Sequence, residues 1–190
     1  MSEDSGTPDV VRAPAEVATR ALALFAAVAV GLGAGREKLT TFLREEKLEK
    51  ALTPNERELL ATETPTEKQL INASWQSEAL WVLVWALKKV EEIPAANVQC
   101  DTAVFRELLP PYAAVSVKDF IRDATCRSDA VLVEMADKIL YQHWQARDAS
   151  INGRAPPPDI DIEIVQERHH AINWVIGYDG LPWDEVTTDT

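Results

Sequence analysis

Nine consecutive residues, from Ala79 to Leu87 (ALWVLVWAL), carry no polar side chain. A helix apolar on every side has no face to give to water, so the rest of the chain has to wrap around it. The run sits inside a longer segment, 65–92, which opens with the Thr-Pro-Thr-Glu sequence of residues 64–67 and is closed by Pro94. Thr as N-cap, Pro at the first helical position and Glu two residues further on form a helix-start signal. The segment therefore reads as a long central helix, and the fold as one organised around it.

The flanking sequence is also written in helices. Pro14 can open a first helix, which the glycines at 31, 33 and 35 end. A charged helix is expected over 37–50, with Leu39, Phe42, Leu43 and Leu48 as its apolar side. Residues 53–56 (TPNE) repeat the start signal and open a short helix over 54–61. Asp101 caps a short helix ending at Pro110 and Pro111, Ser116 with Asp119 begins another, and Ser128 caps a long one over 129–149. Three prolines, 156–158, make a stiff connector. A last helix over 162–176 stops at Gly177, followed by a turn at Asp179-Gly180 and a tail from Leu181. The segment IDIEIV alternates only briefly before helical spacing takes over, so no strand is expected. The expectation is an all-α, single-domain irregular bundle of about six to eight helices around a central apolar helix, with a flexible segment 1–12 and one domain over 13–190.

Composition narrows the function. With 46% hydrophobic residues and six Trp in 190 residues, the chain can bury a core without staples. The net charge of −12 concentrates toward the C-terminus: beyond Ala155 one Arg faces eight carboxylates. Such a surface repels phosphate backbones and anionic membranes, so neither nucleic acid nor a membrane is an expected partner. Cys100 and Cys126 match no zinc spacing and no redox pair, and read as packing residues of a reducing, cytoplasmic compartment. The stretch 21–34 (ALALFAAVAVGLGA) falls short of the roughly 20 apolar residues that span a bilayer, and no basic leader precedes it. It reads as a core helix.

Helical spacing at about 100° per residue then singles out polar groups in apolar places. Glu78 shares a face with Ile71, Trp75, Val82 and Trp85. In the helix after Ser128, the arc of Met135, Ile139, Leu132, Ala136, Leu140 and Val133 has His143 at its centre and Arg147 beside it. In the last helix Arg168 falls between Val175 and Ile172. An unpaired charge in such a place costs several kcal/mol. Two explanations fit. One is a structural ion pair, such as Glu78 with Arg168, that fixes how helices dock. The other is a polar pocket in a helical core, where bundles hold ligands and active sites.

Recognisable catalytic spacing is missing. Residues 167–170 (ERHH) contain one Glu-x-x-His, but a carboxylate-bridged di-iron bundle uses two such motifs and two further Glu. Glu163, Glu167 and His170 also lie opposite the apolar arc of their helix, where charges are ordinarily solvated. No metal and no cofactor are therefore expected. There is no nucleophile elbow, no P-loop and no dinucleotide loop, and the glycines at 31, 33 and 35 are wrongly spaced.

Four stretches carry a resemblance: VATRALAL at 17–24, WQSEALWVLVWAL at 75–87, HWQAR at 143–147, and ERHHAINW at 167–174 together with WDEVTTDT at 183–190. With these the chain resembles an uncharacterised bacterial family of a domain of unknown function, over nearly its whole length. Gln142 and Gln145 depart from the expected pattern, where more charge or aliphatic character would stand. The resemblance implies an intracellular helical domain and brings no activity. It picks out Glu78, His143, Arg147, Arg168 and Asp184 as the candidate polar cluster.

Two functions follow from these observations. The leading one is a non-enzymatic helical module that binds another protein or self-associates, resting on the absent catalytic motifs and on Trp174 and Trp183 near the acidic tail. The alternative is an enzyme or small-ligand binder using Glu78, His143, Arg147 and Arg168, with His143 as acid–base group. A pocket beside His143 would favour the second; a sealed, fully paired network would favour the first.

Overall fold

Thr53 caps the helix Pro54–Ala61 as its sequence requires: its hydroxyl accepts from the Glu56 amide, and the Glu56 carboxylate accepts from the Thr53 amide. The second start signal is used differently. The cap is Thr66 rather than Thr64, boxed with Gln69, because Thr66 and Gln69 offer the same reciprocal pair two residues later.

The computed structural model describes residues 10–190. It is all-α, and no strand occurs among the described residues. In chain order the helices are α1 (Pro14–Gly31), α2 (Arg36–Glu45), α3 (Pro54–Ala61), α4 (Glu67–Trp75), α5 (Ser77–Ala86), α6 (Val104–Leu108), α7 (Val117–Arg122), α8 (Asp129–Ile151) and α9 (Ile162–Ile176). Short 3₁₀ turns lie at Glu49–Ala51, Tyr178–Gly180 and Trp183–Glu185. Of the flexible segment expected at the N-terminus, residues 1–9 lie outside the described residues. Arg12, by contrast, is tied to the carbonyls of Trp174 and Leu181 and to Glu16.

The expected long helix over 65–92 is α4 and α5, broken at Gln76 and ended early. All ten residues of α5 are buried, the apolar run from Ala79 and the Ser77 and Glu78 that precede it alike. Past Ala86 the chain turns at Lys88, whose φ is +59°. Arg127 covers that end: it donates to the carbonyls of Trp85, Val90 and Glu91, and its guanidinium lies 4.7 Å from the centre of the Trp85 ring. A cation on the C-terminal carbonyls of a helix satisfies groups that have no partner within it. Similarly, the charged helix expected over 37–50 ends at Glu45, where Lys47 takes a positive φ of 59°.

Helix α5 is sandwiched between α1 and α9, and α8 packs on the far side of α9. Helix α1 is long and apolar enough by length and composition to cross a membrane, contrary to the shorter stretch inferred from the sequence. Its apolarity has a local cause, since every residue from Val17 to Val30 except Thr19 is buried in the core. Its last residue, Gly31, lies against the backbone of α4: a Cβ there would sit 2.6 Å from the Ser74 nitrogen. The C-terminal tail is a strap rather than a free end. Trp183 and Val186 are buried, and the Trp183 ring packs against those of His170 and Trp174.

Candidate functional site

Glu78 stands in the first turn of α5, where the helix dipole favours an acid. Arg168 comes from the middle of α9, and both side chains are at most 2% exposed. The Arg168 Nε donates to Glu78 Oε2 at 2.9 Å, and Nη2 lies in ion-pair contact with the same oxygen at 2.8 Å. Its remaining N–H groups reach the carbonyls of Pro94 (2.7 Å), Ala95 (3.2 Å) and Val98 (2.8 Å). A guanidinium has five donors; four make hydrogen bonds here, and Nη2 adds the ion-pair contact with Glu78. Glu78 Oε1 accepts from the Cys100 amide at 2.8 Å. The pair thus pins the irregular loop 94–100 onto α5 and α9. Burial, reinforced by the Glu78 charge, pushes the neighbouring Cys100 thiol up to about 12.

His143 is not part of this group. It is 2% exposed and faces His169 of α9, with the two Nδ1 atoms 2.9 Å apart. Hydrogen-bond logic fixes the tautomers. The Asn173 Nδ2 lies 3.1 Å from both the Thr187 carbonyl oxygen and His169 Nε2. A carbonyl only accepts, so the amide nitrogen donates to it and, with its second proton, to His169 Nε2. The His169 proton is then on Nδ1 and is donated to His143 Nδ1, leaving the His143 proton on Nε2. Neither ring can gain a proton without turning a donor onto a donor. Burial is also the main influence holding both rings below the ordinary imidazole range, His169 at about 4.

The other two residues of the expected cluster lie apart. Arg147 is half-buried near His143 and makes no hydrogen bond or ion pair among the described residues; its charge helps keep His143 neutral. Asp184 is exposed in the strap. Its membership of a buried cluster is corrected by the turn at Gly177, which carries the chain back across α9 with Trp183 inward and Asp184 outward. His170 does not face solvent as its helical position suggested: it is half-buried, with Nε2 2.8 Å from the Trp183 carbonyl oxygen.

Five polar residues of the core were not found from the sequence: Arg20, Glu56, Ser77, His169 and Asn173. Arg20 and Glu56 form a second buried ion pair, and Arg20 also donates to the Ala51 carbonyl at 2.5 Å and stacks 4.7 Å from the centre of the Trp183 ring. A signal for Arg20 did exist, since a charge inside a helix as apolar as α1 has nowhere to point but inward. Glu56 was legible only as a capping residue, and it fills both roles.

Glu167 lines a surface cavity of about 590 Å³ together with Glu56, Glu58, Glu163, Gln69 and Gln76. Burial, and then the Glu78 charge, raise its carboxyl to about 7. Two further cavities lie at Arg20–Trp183 and at Phe42–Pro111; His143 lines none of the three. Among the described residues no three His, Cys, Asp or Glu side chains are grouped so as to hold a metal ion.

Against known proteins, residues 2–186 match the model of a family with the description Domain of unknown function (DUF4272). No curated protein matches the chain, and no solved structure does.

Proposed function

The chain belongs to the DUF4272 family, and we propose that this member is a non-enzymatic intracellular module that binds protein through the outer face of α8. The observation that carries this reading is the exposure of Val133, Leu140, Tyr141, Trp144 and Ile151 on a helix whose other side is buried on α9. Trp144 and Tyr141 are 46% and 59% exposed, stacked with ring centres 5.8 Å apart and planes 18° from parallel. Rigid aromatics of this kind, set among aliphatic neighbours, are what binding surfaces are built from. Val133 and Leu140 were expected in the core. The apolar arc of α8 is wider than one neighbouring helix can cover, so its edge stays outside. Trp174 and Trp183, expected to serve a partner, are instead 4% and 8% exposed and belong to the core.

The rival, a catalytic or ligand-binding polar cluster, has less support. Arg168 is 2% exposed and already paired with Glu78 and three carbonyls, and the protons of His169 and Asn173 are committed to His143, His169 and the Thr187 carbonyl. A general base needs a free lone pair within reach of substrate. Affinity capture with the wild-type chain and with Trp144→Glu tests the proposal. A protein retained stoichiometrically by the first and lost with the second is the expected result. Identical retention by both would sink the reading.

A further inference from the structure

Residues 133, 137, 140, 144, 147 and 151 recur along α8 at alternating steps of four and three, the spacing of a coiled-coil seam. The seam is about 27 Å long at 1.5 Å per residue. Its members are Val133, Asp137, Leu140, Trp144, Arg147 and Ile151, and the order is symmetric about position 142. An antiparallel copy turned about a two-fold axis there would set Val133 against Ile151, Leu140 against Trp144, and Asp137 against Arg147. Each position of one heptad class meets the other class, as antiparallel coiled coils require.

The charges select this arrangement. Asp137 is exposed and Arg147 half-buried, and neither has an ion pair or hydrogen bond among the described residues. Asp148, next to Arg147 on the same helix, is by contrast paired with Arg154. A parallel pairing would place Asp137 on Asp137 and Arg147 on Arg147, which is repulsive at both sites. The antiparallel one satisfies all four charges at once, and polar seam residues commonly fix orientation and register in this way.

We propose that a second copy of this chain docks antiparallel on the outer face of α8, forming an isologous dimer locked by two Asp137–Arg147 ion pairs. This rests on the reading of that face as the docking surface, and supplies its occupant. The overall charge of −12 opposes association over long distances. At physiological salt the screening length is about 8 Å, so the local pairs and the apolar contacts decide. A seam this short lies at the low end of specific interfaces, and dissociation in the micromolar range is expected.

Sedimentation equilibrium of the full chain into the high micromolar range tests the proposal, at physiological salt. The expected result is a monomer of 21.1 kDa in equilibrium with a particle of twice that mass. Asp137→Arg and Arg147→Asp should each weaken the dimer about tenfold or more, because each places like charges opposite one another. The double variant restores both pairs with reversed polarity, leaves net charge unchanged, and should recover most of the affinity. Thermal melts of the variants control for folding. A monomer at every concentration overturns the dimer, as does a dimer indifferent to the single swaps or not rescued by the double. If the chain is monomeric yet Trp144→Glu still releases a captured protein, the docking face stands and only its occupant is wrong. If neither occurs, both readings fall.

Discussion

Arg168 and His169 are consecutive on α9 and serve different neighbours: the guanidinium closes on Glu78 of α5, and the imidazole meets His143 of α8. One turn of helix thereby fastens the central helix, the 94–100 loop and the outer helix together. Two polar networks separated by one peptide bond are why α9 carries so much buried polarity.

Removing either member of the Glu78–Arg168 pair strands a buried charge. Glu78→Ala and Arg168→Ala should each cost about 3–5 kcal/mol, and the double variant less than their total. Arg168→Lys should not rescue, because an ammonium cannot supply five planar donors. Denaturant melts of the three variants and the double give the coupling. Additive costs under about 1 kcal/mol each would show the pair to be loose.

The His143–His169 contact predicts a loss of stability in acid. In the unfolded chain a histidine binds a proton below about 6.5, whereas folded His169 resists until about 4. Between those values the unfolded state holds more protons, so stability falls as pH drops from 6.5 toward 4, for His169 by on the order of 3 kcal/mol. The imidazole proton resonances of His169 should stay unshifted down to about pH 5. A midpoint near 6.5 would contradict the tautomer assignment.

Glu167 works in the opposite sense. Its folded carboxyl, raised to about 7, holds a proton that the unfolded chain releases above about 4.5, so its contribution is lost as pH rises toward 7. Glu167→Gln should stabilise the protein by roughly 1–2 kcal/mol at pH 8 and change little at pH 4. Melting the pair of proteins across that range measures it. In the Gln variant the acid slope of His169 should also become steeper, because the opposing titration is gone.

Gly31→Ala tests the contact between α1 and α4. The added methyl would meet the Ser74 backbone at 2.6 Å, and backbone cannot step aside as a side-chain tip can. A cost of about 1–3 kcal/mol or more is expected, although alanine is the better helix former. A neutral or stabilising result in a urea melt would show that the two helices have room to separate.

Local chemistry settled a good part of this fold in advance. The nine apolar residues from Ala79 made a wrapped helix unavoidable, the Thr53–Glu56 box fixed the start of α3, and Gly177, with its φ of +77°, ended α9. Helical spacing also found Glu78, His143 and Arg168, because an angle about a helix axis is a property of sequence separation alone. It could not say which neighbour would face that angle. That Arg168 takes Glu78 while His143 takes His169 depends on how α5, α8 and α9 stack. That Asp184 faces outward depends on where the turn at Gly177 sends the strap. The early end of α5 was equally out of reach, since the side chain that covers its carbonyls, Arg127, arrives from 42 residues beyond Trp85. Periodicity says which side of a helix is apolar, and only packing decides how much of that side a neighbour covers; on α8 the uncovered remainder is the seam running from Val133 to Ile151.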